Sequence, residues 1–236
     1  EMSTWGAVLS EYLPLLTKLI STHSPLSSIC SLEEAFTVGE AYKLPEIIED
    51  SRKSKDAFRF INTGTIEPFF ALWGYSQTTY LKTKYLCPII EKSAFQKMFP
   101  RRHLQMSSSK IVISGIRHFE AILDLTGDVV AGKSTVVVRG ISEEKRWYCL
   151  LGILNSKLAK FFLKGCYSAL AMDGGINFSP TNVGEIPIPK KFTSDKLLRT
   201  VKSIVSLRDE HGPVLDIQVE NTLKSLTASL NDEVFS

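Results

Sequence analysis

Two β-branched runs and one amphipathic run constrain this chain more than any other feature of it. Lys110-Ile111-Val112-Ile113-Ser114 and Thr135-Val136-Val137-Val138-Arg139 are built from stiff, branched side chains that pack well on a pleated surface. Soon afterwards Leu150, Leu151, Leu154, Leu158, Phe161 and Phe162 fall on one face of a helix. The spacing predicts that helix from Trp147 to Lys164, with Gly165 as its stop. Strands leading into a long apolar helix place the chain in the α/β (α+β) class, with a mixed β-sheet and a buried helix. At 236 residues and 44% hydrophobic content, it can bury one sizeable core or two small ones.

The remaining elements follow from period and punctuation. Trp5, Val8, Leu9, Tyr12, Leu16, Leu19 and Ile20 recur at a helical period that Pro14 should interrupt. Glu33 to Val38 reads as a short strand and Gly39 to Arg52 as a helix complicated by Pro45. Ala57 to Thr63 reads as a strand, Glu67 to Trp73 as a second apolar run, and Ser93 to Phe99 as a short helix. Phe119 to Leu125 is a further strand, turned by Gly127-Asp128 into the one ending at Arg139. Ile186-Pro187-Ile188-Pro189 is extended, because each proline biases its predecessor away from helix. Two helices, Ser194 to Glu210 and Leu215 to Leu230, are parted by Gly212-Pro213 and form a helical C-terminal extension.

Charge is distributed unevenly. Residues 1 to 50 hold two bases against eight acids, whereas residues 51 to 117 hold twelve bases against three acids. That quarter of the chain carries more positive excess than the whole, whose net charge is +3. Lysine and arginine neutralise phosphates and release condensed counterions, so the segment is a candidate nucleic-acid face. Its aromatics, among them Phe58, Phe60, Phe95 and Phe99, are open to two roles: stacking on bases or filling a core.

Other classes find little support. No apolar run approaches the ~20 residues that span a bilayer, and no secretory leader opens the chain. Cys30, Cys87, Cys149 and Cys166 are far apart, with no CxxC pair, and the four histidines are equally scattered. Such spacing suits reduced thiols in a cytoplasmic protein rather than a disulfide framework or a zinc site. Glu1 precedes Met2 and an amphipathic stretch begins at Trp5, so the chain reads as a fragment whose parent continues upstream.

Three stretches imitate catalytic motifs. Gly127-Asp-Val-Val-Ala-Gly132-Lys133-Ser134 spells a phosphate-binding loop. Such a loop needs a helix after it to present backbone N–H groups, and Thr135-Val136-Val137-Val138 should extend instead, making the segment a hairpin. Asp124 or Asp128 with Glu143, Glu144 and Lys145 resembles the acidic-acidic-lysine pattern of metal-dependent nucleases. The latter three read instead as a solvated loop before the helix. Glu67-Pro68-Phe69-Phe70 faintly resembles the Asn-Pro-Pro-Tyr element of amino-methyltransferases, but it lacks the second proline and no glycine-rich cofactor loop accompanies it. No catalytic centre and no metal site are therefore assigned to this fragment.

The order of several landmarks carries a resemblance. Phe60-Ile-Asn-Thr-Gly-Thr-Ile-Glu-Pro68 is followed by Leu72-Trp-Gly74, then by Lys110-Ile-Val-Ile-Ser-Gly115, Asp124-Leu-Thr-Gly-Asp128 and Gly132-Lys-Ser-Thr135. Leu151-Gly-Ile-Leu-Asn-Ser-Lys-Leu158, with Gly174-Gly175 and Ile186-Pro-Ile-Pro189, is the most distinctive element. Over about residues 32 to 231 the chain resembles the TaqI-like C-terminal specificity domain of restriction-modification adenine DNA methyltransferases. The last landmarks are also similar to specificity subunits of multi-subunit restriction systems. The resemblance implies target recognition on double-stranded DNA. It also implies an upstream methyltransferase domain that holds S-adenosylmethionine, in a parent that can also carry an endonuclease; no cofactor is expected in this fragment.

The expected organisation is an N-terminal helix or linker over residues 1–31, a recognition domain over 32–191 and the helical extension over 192–236. Lys82, Lys84, Arg101, Arg102, Lys110, Arg117 and Lys133 are the candidate phosphate contacts, and Asn62, Thr63, Tyr75 and Gln77 the candidate base readers. Two rivals remain. One is a metal-dependent endonuclease using Asp128, Glu143 and Lys145; the other is a module that binds a partner protein through its terminal helices. If the Gly127–Ser134 segment holds no nucleotide, calorimetry should detect no saturable Mg-ATP binding, and Lys133→Ala should leave the fold intact. Stoichiometric binding abolished by Lys133→Ala would reverse that reading.

Overall fold

The computed structural model describes residues 12–52, 56–116, 118–167 and 177–235. The first part of the N-terminal amphipathic stretch, Arg117 and Gly174-Gly175 lie outside them. Eight strands make two four-stranded sheets: β1 (Ser31–Glu34), β2 (Glu49–Asp50), β3 (Ala57–Ile61), β4 (Pro88–Glu91), β5 (Lys110–Ser114), β6 (Ala121–Asp124), β7 (Val129–Ala131) and β8 (Thr135–Arg139). Five longer helices are α1 (Leu13–Thr22), α2 (Glu144–Asn155), α3 (Lys157–Tyr167), α4 (Asp195–His211) and α5 (Ile217–Phe235). The mixed α/β class and the helical C-terminal end are as the sequence predicts.

The first sheet runs β6–β5–β8–β1 and is antiparallel throughout. The second runs β7–β3–β4–β2 and pairs β7 with β3 in parallel. Successive residues of a strand point to opposite faces, and in the first sheet both faces are buried. Ile111, Ile113, Val136 and Val138 join the core made with Leu150, Leu151, Leu154 and the C-terminal helices. Val112, Ile122 and Val137 join a second core with Phe58, Phe60, Ile90 and Phe95. The first sheet is thus a middle layer, which is why its strands are continuous apolar runs rather than alternating ones. Most aromatics of residues 51–117 fill the second core, as in the edge-to-face pairs Phe58–Phe95 (5.3 Å) and Phe60–Tyr80 (5.0 Å).

The chain crosses between the layers twice in quick succession. β6 lies in the first sheet, β7 in the second and β8 in the first again. The Gly127–Ser134 stretch is therefore neither a hairpin nor a loop before a helix: the strand within it and the strand that follows it belong to different sheets. Asp124 fixes the first crossing. One carboxylate oxygen accepts from the backbone N–H of Gly127 (2.9 Å) and Asp128 (3.2 Å), and from the Thr126 hydroxyl (3.2 Å). The other accepts from Val129 N–H (2.9 Å) and Lys110 Nζ (2.5 Å). Gly127 turns here at φ +71°, and a Cβ on it would lie 2.1 Å from the Ser107 carbonyl oxygen, so no other residue fits.

The helix expected from Trp147 to Lys164 is two helices, with Ser156 extended between them (ψ 161°). The Ser156 hydroxyl starts α3 by accepting from Ala159 N–H (3.3 Å). Asn155 turns inward: its amide accepts from Ala121 N–H (3.0 Å) and donates to the Ala121 carbonyl (2.9 Å). It thus acts as one rung of a ladder for the first residue of β6. Gly152 lets α4 and α5 close on α2, since a Cβ there would lie 2.6 Å from Val201 and 3.0 Å from Leu230. The helix expected over Gly39–Arg52 ends at Lys43, because Pro45 sits in a 3-10 turn (Leu44–Glu46).

Asp124→Ala should leave the Lys110 ammonium buried without its counter-charge, a change that typically costs about 3–5 kcal/mol. Adding Lys110→Met should restore part of the loss. Urea denaturation of both single variants and the double variant checks this, and strictly additive losses would contradict the coupling.

Candidate nucleic-acid interface

Several loops meet at one end of the two sheets. β3 and β7 are parallel, so the turns that follow them, residues 62–65 and 132–134, emerge side by side. Gly132 N–H donates to the Ile61 carbonyl (2.8 Å), and a Cβ on Gly132 would lie 2.4 Å from Asn62 Oδ1. Gly115, just past β5, donates to the Ser134 carbonyl (2.9 Å), and Phe178 N–H donates to the Gly115 carbonyl (2.7 Å). Ile116 bridges to Asn177, and Ser114 N–H donates to the carbonyl of Glu120 ahead of β6 (2.8 Å). Four connections distant in sequence are thereby set on one surface.

Asn62, Thr63 and Lys133 lie together on that surface, each half-buried. Asn62 opens a 3-10 turn in which its N–H donates to Thr65 Oγ1 (3.1 Å) and its carbonyl accepts from Thr65 N–H (2.8 Å). Gln77 is exposed just before a projecting hairpin of strands Thr78–Tyr80 and Thr83–Tyr85. Lys82 and Lys84 are exposed on the hairpin. Its two-residue turn places Leu81 (φ +43°) and Lys82 (φ +74°) in the left-handed region, where Asn-Gly is the usual choice. Tyr75 is 59% exposed, yet its ring rests on Phe70 (5.7 Å) and 3.1 Å from where a Cβ on Gly212 would stand. The ring thus packs beside the turn between α4 and α5.

The other basic candidates separate. Arg101 is exposed on the helix Pro100–Met106. Its neighbour Arg102 grips Glu40 through Nε and Nη2, the latter at 2.9 Å. The Arg102 hydrogen bonds hold the Glu40 carboxyl at about 2, well below the ordinary carboxylate range. Lys110 is wholly buried, its ammonium shared by Asp124 and the carbonyls of Met106 and Ser108 (3.3 Å). Burial draws its pKa down against the pull of Asp124, and no phosphate can reach it. Arg117 lies outside the described residues.

The residues of the nuclease-like pattern have different partners. Asp128 accepts from Lys92 (3.2 Å), Lys145 donates to Asp195 (2.7 Å), and Glu143 stands just before α2. Among the described residues no three His, Cys, Asp or Glu side chains gather to hold a metal ion. None of the described helices is long and apolar enough to cross a membrane. Phe69 and Phe70, of the methyltransferase-like stretch, are buried and offer no ring face for a flipped base.

The fold has relatives of known structure. It is similar to part of the type IIG restriction endonuclease BpuSI, at a TM-score of 0.51 and 13% identity, over 97% of this chain and 33% of that one. At that identity the likeness is one of fold. The type IIL restriction-modification enzyme MmeI, solved in complex with DNA, matches at a TM-score of 0.43 and 12% identity, over 90% of this chain and 31% of that one. The chain thus spans about a third of the length of each of these enzymes. No family model matches the sequence, and no curated protein matches it.

Two further exposed side chains lie near the loop end. His118 and Lys160 both act on the half-buried Glu120 carboxyl, which burial raises and these two neighbours lower. The lysine spacing along α3 is the sequence signal for the second of them, masked by the stronger apolar period of the same stretch.

The Arg102–Glu40 pair also makes a pH-dependent contribution to stability. Glu40 is depressed in the folded state, so the pair's contribution is present above about 4.5, the ordinary value, and is lost as pH falls through about 2. Arg102→Gln should lower the melting temperature near neutral pH, and the difference from wild type should shrink as the acid limb is approached. A difference constant across that range would show that the two groups are not linked.

Proposed function

We propose that this chain reads duplex DNA as the target-recognition part of a restriction-modification enzyme, an adenine-specific DNA methyltransferase of the TaqI-like pattern. One observation carries the reading: the exposed bases of the positively charged segment are unpaired. Among the described residues Lys82, Lys84 and Arg101 make no ion pair, whereas Lys196, Lys202 and Lys224 of the C-terminal helices are each held by a glutamate. The unpaired Lys82 and Lys84, on a hairpin packed against the Thr63–Thr65 turn, suit a surface on which phosphate contacts set position and a few side chains read base edges. The fold likeness to a type IIG restriction endonuclease is in keeping with this reading.

On this reading Lys82, Lys84, Arg101 and Lys133 contact phosphate, while Asn62, Thr63 and Gln77 face the bases. The body over residues 32–191 is the recognition unit, and residues 1–31 lead to it from the methyltransferase domain. Methyl transfer from S-adenosylmethionine would belong to that domain of the parent, in the cytoplasm, with any endonuclease likewise elsewhere in it.

Fluorescence anisotropy across a salt series tests the proposal. Log K for B-DNA falls with log salt at about −0.9 per phosphate neutralised. Lys82→Gln with Lys84→Gln should flatten that slope by up to about 2 and weaken all sequences alike. Gln77→Ala should shift preference among sequences with little change in slope. Arg102→Gln should leave the slope unchanged, because Glu40 already neutralises that guanidinium. No salt-dependent binding of duplex DNA by the wild-type chain, alone or with the upstream domain restored, would sink the proposal.

A further inference from the structure

Lys157, Lys160 and Lys164 lie at the spacing that lines one side of a helix, and all three are exposed on α3. None is ion-paired among the described residues. The opposite side of α3 is locked in place. Ala159, Phe162, Leu163, Cys166 and Tyr167 are buried there, and a Cβ on Gly165 would lie 2.9 Å from Leu16 of α1. Lys157 N–H donates to Asn231 Oδ1 of α5 (2.8 Å), which fixes the first turn. The lysines therefore stand on a rigid platform that cannot roll.

Lys160 is close enough to act on the Glu120 carboxyl, together with His118 and against Glu67. Glu120 immediately precedes β6, at the same loop end that carries Asn62, Thr63 and Lys133. Asn155, two residues ahead of Lys157, pairs with both main-chain groups of Ala121 beside Glu120, so the first end of the stripe adjoins that surface. From Lys157 to Lys164 the helix rises roughly 10 Å, while B-DNA advances about 3.4 Å along its axis per phosphate of one strand, so the stripe is long enough to reach more than one phosphate. Because the apolar side of α3 is already covered, it has no face left to insert into a lipid surface.

We propose that Lys157, Lys160 and Lys164 form a backbone clamp that holds the phosphates of one strand while the turn end faces the bases of the same duplex. The clamp rests on the DNA-recognition reading and adds to it a contact surface outside the basic segment. It positions the duplex without reading its sequence.

The test uses the 236-residue chain in the same anisotropy salt series, with circular-dichroism melting to verify the fold. Lys160→Gln with Lys164→Gln should flatten the slope by up to about 2 and weaken every sequence alike. Lys160→Arg with Lys164→Arg should keep the wild-type slope, and Lys202→Gln, whose lysine is held by Glu144 at 2.6 Å, should leave it unchanged. A wild-type slope in the Lys160/Lys164 glutamine variant, with the Lys82/Lys84 variant still flattened, overturns the clamp and leaves the DNA reading standing. Equal loss in the glutamine and arginine pairs overturns it too, since charge would then not be the cause. If wild type shows no salt-dependent DNA binding, alone or with the upstream domain restored, clamp and DNA reading fall together.

Discussion

The carboxylate of Asp124 is the point on which the two sheets depend. A chain that leaves one layer for the other must turn within a few residues, and the turn exposes backbone N–H groups inside the protein. Left without acceptors, each would incur a desolvation penalty of ~1–3 kcal/mol. Asp124 accepts from three of them, and its negative charge is balanced by the Lys110 ammonium across the β5–β6 register. Removing either member leaves the other in a site that cannot solvate it. The ion pair is better understood as holding a crossing in place than as a source of net stability, because desolvation offsets much of the attraction between buried charges.

The far ends of the same strands carry the candidate interface, so the crossing and the site are mechanically related. The register of β5 with β6 and β8 fixes where Gly115, Glu120 and Ser134 emerge. The parallel register of β7 with β3 fixes Asn62 beside Gly132. Asn155 adds a third fixed point by pairing with both main-chain groups of Ala121. Polar turns presented from strands held in this way are pre-organised, which suits recognition by a few side chains.

The sequence made some of this legible and concealed the rest for identifiable reasons. β5 and β8 are found to within a residue, because branched runs buried on both faces have few alternatives. The Gly212-Pro213 break is found because Gly212 takes a left-handed turn (φ +67°). The break at Ser156 was invisible, since the apolar period runs from Leu154 through Leu158 to Phe162 as if nothing intervened. Charge counting could not tell that Arg102 and Lys110 are neutralised, because their partners Glu40 and Asp124 lie 62 and 14 residues away. Gly127 to Ser134 looked like a hairpin because strand propensity says nothing about which sheet a strand joins.

The double crossing also bears on the order in which the protein assembles. β5 pairs with β6 and β8 over short stretches of chain, whereas the partners Arg59 and Val129 of β3 and β7 lie 70 residues apart. Loop-closure entropy ranks these events: near pairings form early, and pairings that close long loops wait until other contacts compensate for them. β7 is only three residues long and is tethered at both ends to the first sheet, so it is delivered to β3 by a layer already built. The middle sheet therefore acts as the template on which the outer one is completed.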